Sequence, residues 1–164
     1  MGFPASQLLT GLSVFRGTGR RFELKGTVHG VRVIDDYGHH PTEIQVTLAA
    51  ARRLAGEGRL IVIFQPHRFS RTQAFASGFS KALDKADRAF VLEIYAASEK
   101  PMEGVTSKLI TSQMERGEYT PNFVEVIDSV VAMAQPGDVI MTLGAGDVSS
   151  LAPIIVDGLN RRFA

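Results

Sequence analysis

The sequence predicts an α/β protein, a doubly wound and mostly parallel sheet of about six strands with an antiparallel strand at one edge. Three observations carry this. The continuous apolar runs RLIVIF (59–64), RAFVLEIY (88–95) and DVIMTLG (138–144) read as strands buried on both faces. Stretches with helical apolar spacing alternate with them. The first two β-like runs are separated only by His29-Gly30, a tight-turn signal that makes them a hairpin.

In chain order, PASQLLTGLSVF has Leu8, Leu9, Leu12 and Phe15 at helical spacing. It stops at RGTGRR, so residues 1–16 read as the tail of a preceding element and 17–164 as the domain proper. In RFELKGTVHGVRVIDD, Phe22 and Leu24 alternate with polar residues, as do Val31 and Val33, which gives the hairpin strands. PTEIQVTLAAARRLA then opens with a proline, tolerated in a first helical turn, and continues with Ile44, Leu48, Ala51 and Leu54 on one face. Thr42 and Glu43 are candidates for capping it. RTQAFASGFSKALDKA reads as an amphipathic helix and VTSKLITSQME as a weaker one. NFVEVI reads as a strand, SVVAMA as a short helix, and VSSLAPIIVDGLNRRF as the closing helix, with Pro153 near its start.

Composition narrows the function. With 18 basic and 17 acidic side chains and no charged block, phosphate-driven nucleic-acid binding is not indicated. The chain has no cysteine, which excludes disulfides and thiolate zinc sites. It shows no secretory signal and no apolar run of the ~20 residues that a membrane helix needs. A soluble, cytoplasmic protein without a membrane partner is expected.

In an open parallel sheet, ligands bind beyond the carboxyl ends of the strands. The segments expected there are DDYGHHP, QPHRFSRT, EIYAASEKP and GAGDVSS, which hold three of the four histidines. The opposite edge carries plain connectors such as AGEG and QPG. Asp35 and Asp36 either end a strand or serve chemistry. Together with His39 and His40 they could form a metal-dependent hydrolase site, although adjacent histidines diverge, and no metal ligand is assigned. Arg68 and Arg71, three apart at a helix start, would combine with helix amides as an anion site. His67 either joins that site or is a structural hydrogen bonder, and Tyr95 either stacks on a ligand or packs. GAGD lacks the third glycine of a dinucleotide fingerprint and follows the last strand, so it reads instead as a close-approach loop.

Taken together and in this order, RRFE, DDYGHHPTE, FQPHRFSRT, IYAASE and GAGD resemble the C-terminal domain of the Mur ligases. The resemblance runs from about Phe3 to the closing helix. DDYGHHPTE looks like the alanine-adding form of the family's D-Y-A-H-x-P signature, and FQPHRFSRT argues against the tripeptide-recycling branch. Glu93 and Ser98 depart from the aspartate and glycine of the family pattern. The resemblance implies ATP-dependent joining of L-alanine to UDP-N-acetylmuramic acid through an acyl phosphate, with ATP and magnesium in the full enzyme. It implies that Arg21 reaches the terminal phosphates of ATP and that Asp36 binds the ribose. It also implies that Tyr37 lies on the ATP side and that His39 lies near the amino acid with a catalytic role beside Arg21. It implies further that Arg68 and Arg71 hold the alanine carboxylate and that His67 shapes that pocket. The family's G-x-x-x-x-G-K-[ST] loop and its uridine-nucleotide domain have no counterpart in these residues. The expectation is therefore an enzyme's C-terminal piece that does not turn over alone and whose magnesium sits mainly on a neighbouring domain. The competing expectation is a stand-alone α/β module for a nucleotide or small molecule.

Overall fold

The computed structural model describes residues 19–164, and the helix expected over residues 1–16 lies outside them. The six strands are β1 (Glu23–Val28), β2 (Val31–Asp36), β3 (Leu60–Phe64), β4 (Arg88–Val91), β5 (Gly117–Tyr119) and β6 (Val139–Leu143). They lie in the order β1-β2-β6-β3-β4-β5, with only the β1–β2 pair antiparallel. The helices are α1 (Pro41–Ala55), α2 (Phe69–Leu83), α3 (Lys108–Thr111), α4 (Phe123–Met133) and α5 (Leu151–Arg162).

Side-chain alternation along the strands assigns the two faces. Leu60, Val62 and Phe64 point to the layer holding Ile44 and Leu48 of α1, Phe79 and Leu83 of α2, and Ile110 of α3. Ile61 and Ile63 point to the layer holding Val126 and Val130 of α4 and Leu151, Ile155 and Leu159 of α5. Both faces are thus dry, which is why the central strands read as unbroken apolar runs. Asp36, Leu143 and Phe64 are register partners, so β2, β6 and β3 end level. The chain leaves β2 and β3 toward one layer and β6 toward the other. This splits the loops at the carboxyl end and opens a crevice between them.

Several expectations need correction. NFVEVI is the first half of α4, not a strand. Asn122 accepts from the amides of Val124 and Glu125, and the apolar residues use helical spacing through Val126 and Val130. The weak helix over VTSKLITSQME shrinks to Lys108–Thr111, and the unforeseen three-residue β5 supplies the outer strand. In α1, Ala55 rather than Leu54 is buried, and Leu54 is 37% exposed. In β1 a register shift between Leu24 and Gly26 turns Leu24 outward. The cap of α1 is His40, whose Nδ1 accepts from the Thr42 amide, with Glu43 reaching back to the His40 amide. Pro153 is the third residue of α5 and is accommodated there.

Candidate functional site

Two adjacent arginines meet different fates at the entrance to β1. Arg20 turns inward. Its Nε donates to Asp35 Oδ2 at 3.1 Å, and its terminal nitrogens donate to the carbonyls of Gly144 and Gly146. Its guanidinium also lies 5.1 Å from the centre of the Tyr37 ring. Asp35 is wholly buried, and its other oxygen accepts from the Thr142 hydroxyl at 2.6 Å. Arg21 is exposed and makes no hydrogen bond or ion pair among the described residues. It lines an open cavity of about 280 Å³ with Phe22, Asp36, Tyr37, Gly38 and Glu43.

Asp36 already has structural partners. Oδ1 accepts from the Gly38 amide at 2.8 Å and the Thr47 hydroxyl at 3.3 Å, and Oδ2 accepts from the Phe22 amide at 2.8 Å. A carboxylate offers about four acceptor positions, so one remains for a ligand in the cavity. Asp36 therefore fastens the segment before β1 to the start of the helical layer while its carboxylate borders the opening.

The two histidines after β2 diverge. His40 caps α1 and meets the Phe75 ring edge-on at 4.8 Å, at the point where α2 has non-helical dihedrals. His39 Nδ1 lies 3.1 Å from the Tyr37 carbonyl. A carbonyl only accepts, so Nδ1 carries the proton and Nε2 is left with a lone pair. Burial works to raise the Glu43 carboxyl, but the His39 and His40 amides that it accepts outweigh this and hold it below its ordinary value. Asp35, Asp36, His39 and His40 do not converge as the hydrolase alternative required. Among the described residues no three His, Asp or Glu side chains gather as a metal site.

After β3, His67 is the centre of a row of rings. It stacks on Tyr95 with centroids 5.6 Å apart and planes 13° apart, and it sits 6.0 Å from His39, which is 5.1 Å from Tyr37. Arg71, one turn along α2, approaches His67 Nδ1 at 3.3 Å. Arginine has no acceptor, so His67 Nδ1 accepts and its proton is on Nε2. Burial lowers the His67 pKa first, and the nearby charges of Arg71, His39 and Arg68 lower it further against a small opposing pull from Glu99. The two imidazoles thus hold opposite tautomers, His39 with a free Nε2 lone pair and His67 with an Nε2 proton.

The expected anion site at the α2 start is partly filled by the chain itself. Glu99 accepts from the Ser70 amide at 2.9 Å and from the Ser70 hydroxyl, and these two bonds hold its carboxyl below the ordinary value. The Ser70 amide is thereby taken, and Arg68 and Arg71 are the cations left at this helix start. Arg68 is exposed and takes a positive φ of 71°, so it is the residue where the chain turns into the helix.

The glycines of GAGD answer to neighbours in the fold. Gly144 has φ +140°, and a Cβ there would lie 2.6 Å from the Gln65 carbonyl. A Cβ on Gly146 would lie 2.2 Å from Gln65 Oε1 and 2.8 Å from Tyr95 Cγ. Gln65 also accepts from the Val148 amide and donates to Asp147, pinning this loop to β3.

The structure therefore brings Arg21, Asp36, Tyr37, His39, His67, Arg68 and Arg71 to one rim of the sheet. Sequence reasoning passed over Arg20, Gln65 and Glu99. A signal for Glu99 existed, because an acid late in one carboxyl-end loop can reach the helix that starts in the neighbouring one. Nothing in the sequence separates Arg20 from Arg21.

Comparisons with known proteins place the chain in a family and match its fold. The family described as Mur ligase, glutamate ligase domain, matches residues 20–146. The chain is 49% identical over 166 residues to a UDP-N-acetylmuramate–L-alanine ligase of Mycobacterium ulcerans, covering 99% of this chain and 34% of that protein. It is 50% identical over 159 residues to the enzyme of the same name from Paenarthrobacter aurescens, covering 97% and 35%. The crystal structure of a UDP-N-acetylmuramate–alanine ligase from Thermotoga maritima superposes with a TM-score of 0.75 at 28% identity, over 98% of this chain and 34% of that one. A murein peptide ligase from Psychrobacter arcticus shares the fold, with a TM-score of 0.73 at 23% identity over 92% and 32%. The chain spans about a third of the length of the curated relatives it matches.

Proposed function

This chain belongs to the Mur ligase, glutamate ligase domain family, and from that premise we propose that it is the amino-acid- and ATP-facing domain of a ligase joining L-alanine to UDP-N-acetylmuramic acid. Residues 17–164 form the domain, and residues 1–16 lead in from a neighbouring ATPase domain that supplies the phosphate-gripping loop. The observation that carries the reading is the shared rim. A cation for phosphate (Arg21), a cation for carboxylate (Arg71) and an imidazole with a free lone pair (His39) share it, Arg21 just before the antiparallel β1, His39 after β2 and Arg71 after β3.

In this reading ATP gives its terminal phosphoryl group to the lactyl carboxylate and ADP departs. The alanine nitrogen attacks the acyl carbon, a tetrahedral intermediate forms, and phosphate leaves as the amide bond is made. The domain's contribution is positioning and charge neutralisation. Arg21 faces the phosphates and Asp36 offers its remaining acceptor position to a ribose hydroxyl. Tyr37 walls the ATP side, and Arg71 with Arg68 takes the alanine carboxylate. His39 Nε2 is the acceptor for the proton that the attacking amine must lose. Magnesium is assigned mainly to the neighbouring domain, as the family resemblance implies, and no step here runs through it. A cytoplasmic setting, where ATP and the sugar nucleotide are available, completes the proposal.

The test is a chimera in which this chain replaces the C-terminal third of a relative such as the Paenarthrobacter enzyme. Alanine-dependent phosphate release is expected from the chimera and none from the chain alone. A folded chimera that ignores alanine, or turnover by the chain alone, would overturn the reading. ATP binding by the chain alone at millimolar concentration or better would favour the stand-alone module instead.

A further inference from the structure

We propose that Tyr95 is a positioning residue for the amino-acid carboxylate: its ring, stacked on His67, keeps that imidazole against Arg71 and so aims the guanidinium. The inference rests on the assignment of Arg71 to the substrate carboxylate made above.

Four observations support it. The rings of Tyr95 and His67 are nearly parallel, 13° apart with centroids at 5.6 Å, an offset stack in which Tyr95 shields part of one imidazole face. The backbone of Tyr95 brackets His67, its amide donating to the Pro66 carbonyl and its carbonyl accepting from the Arg68 amide, both at 2.8 Å. The ring is fixed from behind, because Gly146 leaves no room between itself and Tyr95 Cγ. The Tyr95 hydroxyl has no hydrogen-bond partner among the described residues. The ring, not the hydroxyl, therefore does the positioning. Arg71, Arg68, His39 and Glu99 are the charged or titratable groups that face His67. Burial first, and then the charges of Arg71, His39 and Arg68, hold the His67 pKa below its ordinary value, so its neutral form can accept from Arg71. Removing the Tyr95 ring uncovers the imidazole, frees it to rotate and lets water reach Nδ1, so Arg71 loses its fixed acceptor.

The experiment has two arms. The first follows the His67 ring signals by NMR through a pH titration of the 164-residue chain, as wild type, Tyr95→Ala and Tyr95→Phe. The Ala variant should raise the His67 pKa by about half a pH unit, and the Phe variant should restore the wild-type curve. Gly146→Ala, which pushes on the same ring from behind, should also move the His67 curve. The second arm measures alanine kinetics in the chimera. Tyr95→Ala should raise KM for alanine by about fivefold with kcat at saturating alanine unchanged, and Tyr95→Phe should restore KM. An unmoved His67 titration in Tyr95→Ala overturns the proposal, as does a Phe variant that behaves like Ala, or a loss confined to kcat. Arg71→Ala in the same chimera separates the two readings. A normal KM there overturns the carboxylate assignment, while the NMR arm still decides whether Tyr95 orders His67.

Discussion

Replacing Arg20 with methionine should unfold this domain far more readily than replacing its neighbour Arg21 with alanine. The Arg20 side chain is 25% exposed and its partner Asp35 is 0% exposed. Methionine keeps most of the aliphatic stem but removes the ion pair and two hydrogen bonds to glycine carbonyls. Leaving one member of a buried pair uncompensated costs about 3–5 kcal/mol. The lower end applies, because the Thr142 hydroxyl still supports Asp35 and water can enter along the partly exposed arginine path. A loss of about 3 kcal/mol lowers the folded-to-unfolded ratio by roughly 150-fold. For a chain of this size it lowers Tm by about 6–12 °C. Arg21, exposed and unbonded among the described residues, should change stability by less than about 0.5 kcal/mol. Urea titration and calorimetry of both variants decide the matter. A fall under about 1 kcal/mol for Arg20→Met, or equal falls for both, would refute the idea that the pair divides into a structural and a ligand-facing member. In the chimera, Arg21→Ala should reduce ATP use while leaving Tm in place.

Other substitutions probe the rest of the rim. Asp36→Ala should weaken ATP use more than alanine use, and because the carboxylate also holds the Phe22 and Gly38 amides it should cost about 2 kcal/mol of stability by urea titration. Arg71→Glu should abolish alanine use in the chimera with Tm nearly unchanged, since its one described side-chain partner is His67 at 3.3 Å. Glu43 is held below its ordinary value of 4.5 in the folded state, so its contribution is complete above that pH and is lost as pH falls through the lower folded value. Glu43→Gln should flatten that part of the acid-denaturation curve. His67 is likewise depressed below 6.5, so the folded state resists its protonation and stability falls as pH drops from about 6.5 through the lower folded value. His67→Phe should remove that dependence, read as urea midpoints across pH 5–7.

The elements that sequence patterning located well were those with one dominant physical signal. Pro41–Ala55 combined an N-terminal proline with a clean apolar stripe, and the central strands were continuous apolar runs. NFVEVI misled because Phe123, Val124 and Val126 favour strands, whereas the deciding information was Asn122 followed three residues later by Glu125, the signature of a helix start. GEY was too short and polar to register, and becomes a strand only because β4 offers it an edge. At the site, carboxyl-end placement was legible because it follows from topology. The partners were not, because they join residues far apart in the chain. Arg20 meets Gly144 across 124 positions and Gln65 meets Val148 across 83. No local pattern encodes such contacts. GAGD was legible as a loop that a ligand or a neighbouring backbone approaches closely, but which neighbours demand its glycines, Gln65 and Tyr95, was not.

The cross-ties among these loops have an energetic corollary. Arg20, Asp36, Gln65 and Glu99 each bolt one carboxyl-end segment to another, so the conformational entropy of the rim is surrendered during folding and not at the moment a substrate arrives. On the proposed reading, a small amino acid with few atoms to offer then meets a preorganised wall and spends none of its modest contact energy on ordering these loops.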